Sequence, residues 1–333
     1  MSFDDFSRKP HDRLAELMAK DMEGVGELIR ARMASRHAPR IPEVTAHLVE
    51  AGGKRLRPLL TLASARLCGY DGEDHLRLAA TVEFIHTATL LHDDVVDESG
   101  QRRGRPTANL LWDNKSSVLV GDYLFARAFQ LMVEPGNLRV LDILSGAAAT
   151  IAEGEVLQLT AAQDIATTEE TYLQVIRGKT AALFAAACEV GGVIAGRDET
   201  VSNALHAYGD ALGIAFQMAD DLLDWQGEGG AIGKNVGDDF RERKLTLPVI
   251  RAIAAADETE RAFWARTIAK GQQQDGDLDE AQRILGKHGA LDATRREAEG
   301  WADKAVASLS DLPEGEIKAC MTDLARYVVA RLT

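Results

Sequence analysis

The stretch His86-Thr87-Ala88-Thr89-Leu90-Leu91-His92-Asp93-Asp94-Val95-Val96-Asp97-Glu98 decides how the rest of this chain is read. An apolar, helix-compatible run ends in three aspartates, followed by Gly100 and the pair Arg102-Arg103. On a helix, Asp93 and Asp97 are i,i+4 neighbours and present two carboxylates from one face. Like charges stacked in this way repel, and a hard divalent cation such as Mg²⁺ offsets the repulsion. A solvated acidic helix end would produce the same letters, so the motif alone does not decide.

A second copy does. Gln217-Met218-Ala219-Asp220-Asp221-Leu222-Leu223-Asp224 repeats the pattern at the end of another apolar run, with Asp220 and Asp224 on one face. Two such clusters, far apart in sequence, can face each other across a helical cavity. Between them they would hold several Mg²⁺ ions and, through these, a diphosphate.

Composition sets the bounds. The chain has 333 residues, 46% of them hydrophobic, enough for a sizeable core. Aromatics are only 5%, and alanine is abundant, which favours closely packed helices over sheets. A formal net charge of -14 argues against nucleic acid as the partner, because phosphate backbones need clustered cations. Cys68, Cys188 and Cys320 have no metal-site spacing and read as small buried hydrophobes in a reducing compartment. The start, Met1-Ser2-Phe3-Asp4-Asp5-Phe6, lacks the basic-then-apolar order of a signal peptide. No uncharged apolar run reaches the length of a transmembrane segment. The expectation is a cytoplasmic protein.

Along the chain, residues 11–35 have helical spacing and predict one packing helix. Gly53-Lys54-Arg55-Leu56-Arg57-Pro58 bunches three cations just before an apolar helix, where unpaired N–H groups also attract anions. A helix over about 74–97 carries the first aspartates. His86 lies seven residues before Asp93, nearly on the same face. Glu83 and His86 also form an E-x-x-H, but a di-iron bundle needs two, and the chain has no second. Further helices are expected over about 116–133, 138–162, 169–190 and 199–225. Lys179, beside Thr180, is a cation on an apolar face: it either snorkels to solvent or points at a phosphate. Gln226–Lys244 reads as a glycine-rich loop long enough to act as a lid, bracketed by Lys234 and Lys244. It lacks P-loop spacing. From Leu245 onward shorter helices are expected, without a further motif. No strands are expected anywhere.

Taken together, Gly52–Pro58, Phe84–Asp97 with Arg102-Arg103-Gly104, Lys179-Thr180, Gln217–Asp224 and Gly233-Lys234…Lys244 resemble the trans-polyprenyl diphosphate synthases. The likeness is strong over about 20–250, weaker beyond, and most similar to the bacterial long-chain branch that makes quinone side chains. It implies an all-α, single-domain bundle over residues 1–333 around a deep central cavity. It also implies a homodimer and Mg²⁺-dependent head-to-tail condensation of isopentenyl diphosphate onto farnesyl or geranyl diphosphate. Carried over, Asp93, Asp97, Asp220 and Asp224 bind Mg²⁺, three ions with the diphosphate, while Asp94 and Asp221 complete the catalytic clusters. Arg102, Lys179, Gln217, Lys234 and Lys244 hold the allylic diphosphate, and Thr180 belongs to the substrate-binding set. Lys54, Arg57, His86 and Arg103 hold isopentenyl diphosphate. One departure stands out: the family usually has glycine where this chain has Arg243.

Product length should follow cavity depth. Ala88 lies five residues before Asp93, about 7–8 Å down the helix axis. Ala88 and Thr89 leave room where an aromatic would form a floor, so a long product is expected, with Met132 a candidate for the deeper floor. Rival readings are a shorter-chain farnesyl or geranylgeranyl synthase, a terpene cyclase, and a non-catalytic subunit of a heteromeric synthase. The cyclase leaves Lys54 and Arg57 unexplained. The subunit would be expected to have lost acidic residues that are intact here.

Overall fold

The axis of the molecule is the helix Ala182–Ile194, in which every side chain from Leu183 to Gly192 is buried. Its alanines let neighbours approach closely, and Leu56–Leu67, Asp74–Val96, Leu138–Ala161 and Glu199–Gln226 pack around it. This computed structural model describes residues 8–35, 37–50, 53–102, 104–226 and 236–332. The architecture is all-α, as the composition implied.

The two aspartate-bearing helices each have a long outer partner. Asp74–Val96 packs along Asn114–Val133, and Glu199–Gln226 along Ala290–Ser308. The chain ends meet: Pro10–Leu17 lies against Glu316–Ala330, and Arg13 Nη1 donates to Asp323 Oδ2 at 2.9 Å. A second apolar core, rich in aromatics, gathers Trp225, Phe240, Trp264, Ile268, Ile284 and Leu285. It supports the short helix Asp238–Arg241, which follows the second aspartate cluster.

Several expectations need correction. The helix expected over 11–35 is two, Pro10–Leu17 and Ala19–Met33, broken at Met18 (φ -101°, ψ 14°). Neither glycine nor proline marks that break, so the local sequence carries no sign of it. The helix expected over 169–190 is interrupted by a π-helical turn, Arg177–Ala181. One small antiparallel pair does exist, Gln101–Arg102 with Arg105–Pro106, too short to leave an alternating pattern. The expected loop 226–244 contains the helix Asp238–Arg241, while residues 227–235, including Lys234, lie outside the described residues. All three cysteines are buried and unpaired. Among the described residues no helix is long and apolar enough to cross a membrane.

Candidate active site

Both aspartate clusters sit at the carbonyl end of a helix. Asp74–Val96 terminates with Asp97 as C-cap and Glu98 left-handed (φ 50°), while Ser99 N donates to Asp94 O at 3.0 Å. Asp97 N still reaches Asp93 O at 2.8 Å, so the helical i,i+4 relation of the two carboxylates survives. The helix dipole is negative at this end and disfavours acidic side chains there. Placing four of them at one C-terminus is locally unfavourable and calls for cations.

Their side chains take different environments. Asp94 is fully buried; its Oδ1 accepts from Arg102 Nε at 2.9 Å and Nη2 at 2.7 Å, and its buried Oδ2 has no hydrogen-bond partner. The small hairpin holds Arg102 in this position. Arg102, expected to hold a phosphate, is thus committed to Asp94 in this structure. Asp93 is pushed up to about 7: burial raises it, Lys179 opposes, Glu155 and Asp97 add to the rise, and Arg102 opposes. Lys179 does not snorkel freely; its Nζ donates to Glu155 Oε2 at 2.9 Å.

The second cluster is divided in the same way. Asp220 is partly exposed and pairs with Arg331 Nη2 at 2.5 Å, at the end of the C-terminal helix. Asp221 is turned inward: Tyr172 Oη donates to its Oδ2 at 2.6 Å and Gln217 Nε2 to its Oδ1 at 2.9 Å. Burial, and next Asp239, raise its pKa. Both of its oxygens are thus engaged by protein side chains. Asp224 is also buried; its Oδ2 accepts from Asp239 N at 3.1 Å and its carbonyl from Gly237 N at 2.9 Å. It ties the cluster to the segment leading to Lys244. Burial would lower the Lys244 ammonium, but Asp239, Glu242 and Asp97 outweigh that and hold it above the ordinary lysine value. Lys244 lies 2.5 Å from Glu242 and 3.6 Å from Asp239.

Arg243, where the resemblance leads one to expect glycine, follows the short helix Asp238–Arg241. Lys244 N bonds Asp239 O at 2.8 Å and Arg243 N bonds Phe240 O at 3.0 Å, the paired bonds of a Schellman helix end. Arg243 occupies the left-handed position of that motif (φ 60°), where glycine is favoured.

The π-helical turn Arg177–Ala181 aims successive side chains at different partners. Lys179 donates to Glu155 and opposes the raised pKa of Asp93, while the next residue, Thr180, donates from Oγ1 to Gln217 Oε1 at 2.8 Å. Such turns recur at functional sites because they re-aim successive side chains. A second chain of contacts begins at His86, whose Nε2 lies 3.3 Å from Arg57 Nη1. Arg57 sits over the Phe184 ring at 4.5 Å, Phe184 packs on Phe216 at 5.7 Å, and Arg331 covers Phe216 at 4.8 Å. Lys54 borders this group; partial burial, and then Arg331 and Lys9, lower its pKa, while Asp220 raises it.

Arg103, like Lys234, lies outside the described residues. Ala88 is fully buried and Met132 nearly so, while Thr89 Oγ1 donates to His86 O at 2.7 Å. Glu155, Arg331, Tyr172 and Asp239 were not singled out from the sequence. Glu155 lies in an Ala-rich helix, and Arg331 more than a hundred residues from its partner, so no local pattern marks either.

The donor set fits Mg²⁺. The carboxylates are hard oxygen ligands, Asp93 is raised by burial beside other acids, and Asp94 keeps a buried oxygen without a partner. Among the described residues no three acidic or histidine groups converge as a closed metal site. Mg²⁺ takes one or two carboxylates and completes its octahedron with water and substrate phosphate. The two clusters thus offer acidic groups for cations, and Lys179, Lys244, Lys54 and Arg57 offer charge for anions.

This chain matches the polyprenyl synthetase family over residues 38–285 and belongs to it; it is a trans-prenyltransferase. Among relatives, it is 44% identical to the octaprenyl diphosphate synthase of Escherichia coli over 320 residues, 96% of this chain and 98% of that one. The crystal structure of a decaprenyl diphosphate synthase from Rhodobacter capsulatus superposes with a TM-score of 0.94 at 69% identity, covering 97% and 99% of the two chains. A polyprenyl synthase from Caulobacter crescentus, complexed with calcium and isoprenyl diphosphate, gives 0.92 at 51% identity over 98% and 100%.

Proposed function

We propose that this chain, as one domain, adds isopentenyl diphosphate head-to-tail to farnesyl or geranyl diphosphate. Its product is a long all-trans polyprenyl diphosphate of about eight to ten isoprene units for a quinone side chain. The relatives named octaprenyl and decaprenyl diphosphate synthase bracket that length. The observation that carries the reading is that one π-helical turn places Thr180 on Gln217 of the second cluster, at 2.8 Å, and the Lys179 ammonium where it opposes the raised pKa of Asp93 in the first.

Asp93 and Asp97 on one side, and Asp220 with Asp224 behind it on the other, would hold Mg²⁺, which supplies positive charge against the leaving diphosphate. Lys179, Lys244 and Gln217 bind and orient that diphosphate. The allylic C1–O bond breaks, its electron pair leaving on the diphosphate. Lys54, Arg57 and His86 hold the second diphosphate so that the isopentenyl double bond meets C1 and forms the new C–C bond. A proton then leaves C2 of the added unit, and released diphosphate accepts it. Preorganised charge carries the rate, and no side-chain nucleophile takes part.

A homodimer is part of the proposal. Leu119, Phe129 and Val133 on one helix, with Leu138, Val156 and Leu159 on the next, leave an exposed apolar face suited to a second copy. The three unpaired cysteines suit a reducing, cytoplasmic setting.

The test is purified protein with farnesyl diphosphate, excess isopentenyl diphosphate and Mg²⁺, with products read by mass spectrometry. Long all-trans chains are expected, and Asp93→Ala should lower turnover by about 100-fold or more. Turnover of Asp93→Ala within a few-fold of the parent would refute the scheme.

A further inference from the structure

Glu155 has no assigned part in the site described above, yet it lies at the heart of it. The helix Leu138–Ala161 crosses the π-helical turn where Gly154 meets Gly178: an ideal Cβ on Gly154 would lie 2.7 Å from Lys179 N and 2.9 Å from Gly178 C. With backbone against backbone, residues 155 and 179 cannot drift apart. Glu155 spends one oxygen on Lys179 Nζ, at 2.9 Å. Its other oxygen, Oε1, is buried without a hydrogen-bond partner, a costly state for a carboxylate in the resting protein. The Glu155 charge also helps to raise the pKa of Asp93 in the first aspartate cluster.

We propose that Glu155 is a positioning residue of the reaction: one carboxylate oxygen holds Lys179 at the cleft wall, and the other accepts a hydrogen bond from water on the Mg²⁺ that Asp93 and Asp97 bind. The proposal rests on the functional reading above and extends it. It explains why an acid is kept next to acids that already repel it. Groups behind the metal ligands orient the ion and its water, and their loss typically weakens metal affinity by about 10–100-fold.

Glu155→Gln separates this from a mere counter-ion role. The glutamine carbonyl can still accept from Lys179, but its amide nitrogen cannot accept from water. Mg²⁺ binding to the full chain is measured by calorimetry in the presence of inorganic pyrophosphate. Parent, E155Q, K179Q and the double variant are compared, each first shown by thermal unfolding to be folded without metal. Mg²⁺ should bind E155Q about 10–100-fold more weakly than the parent, and the same loss should persist when Glu155→Gln is introduced into K179Q. Equal Mg²⁺ affinity in E155Q and parent would overturn the proposal, as would a loss that vanishes in the K179Q background. Failure of the parent itself to bind Mg²⁺ with pyrophosphate would overturn the functional reading and this inference with it.

Discussion

Replacing Gly154 by alanine tests how much of the site depends on one helix crossing. The new methyl would meet three backbone atoms: Lys179 N at 2.7 Å, Gly178 C at 2.9 Å and Gly178 Cα at 3.0 Å. Ordinary carbon contacts lie near 3.5–4.0 Å, and backbone cannot step aside as a flexible side chain can. The helices must part by roughly half an ångström or more, at an overpacking cost of about 1–3 kcal/mol. Alanine's helix preference returns about 1 kcal/mol, leaving a net loss of up to about 2 kcal/mol. A chain of 333 residues loses about 0.7 kcal/mol per degree near its midpoint, so Tm should fall by up to about 3 °C. Gly300, inside the helix Ala290–Ser308 with nothing near its Cβ position, is the control. There the same change should raise Tm by about 1 °C. Because Gly154 flanks Glu155 and Gly178 flanks Lys179, turnover of Gly154→Ala should drop further than stability does, by up to about 100-fold for a displacement near 1 Å. Thermal unfolding of both variants with a prenyl-transfer assay reads all three quantities. A Gly154→Ala protein that gains stability as Gly300→Ala does, with normal turnover, would refute the reasoning.

Three further outcomes follow from particular residues. Ala88→Phe, filling a fully buried position about 7–8 Å below Asp93, should shorten the product by several isoprene units; an unchanged chain length by mass spectrometry would show that Ala88 does not line its path. Arg243→Gly should raise the urea midpoint, because the left-handed backbone (φ 60°) strains an L residue by about 1–2 kcal/mol, of which glycine's extra unfolded-state freedom returns about half. A lowered midpoint would mean that Arg243's cover over Gly271 outweighs the strain. His206 Nδ1 lies 2.7 Å from the buried Glu189, and that bond raises the imidazole's pKa above 6.5 against the opposing effect of burial. A raised folded-state pKa contributes stability that is complete below the unfolded value and is lost as pH rises through the folded one. His206→Ala should therefore lower Tm more at pH 6 than at pH 9, and equal losses at the two would refute the coupling.

Much of the site was legible from local pattern. Asp93 with Asp97, and Asp220 with Asp224, could be placed on helix faces because the 3.6-residue period turns spacing into geometry. Alanine abundance and the apolar runs were enough to give an all-α bundle, and they located the helices Asp74–Val96 and Glu199–Gln226 to within a residue or two. The identity of the chemistry came from residue type: hard acids in pairs, and cations gathered before a helix.

Division of labour within each cluster came only with tertiary structure. Asp94 and Asp220 look alike in sequence, yet Asp94 is sealed under Arg102 and Asp220 stays partly exposed beside Arg331. Asp221 is turned inward because Tyr172, forty-nine positions away, reaches it. Glu155 met Lys179 because two glycines let backbones touch, and the motif-free C-terminal third built the aromatic core beneath Phe240. Periodicity along one helix determines which side chains share a face; which of them stay in water, and which find a partner, depends on contacts between residues far apart in the chain.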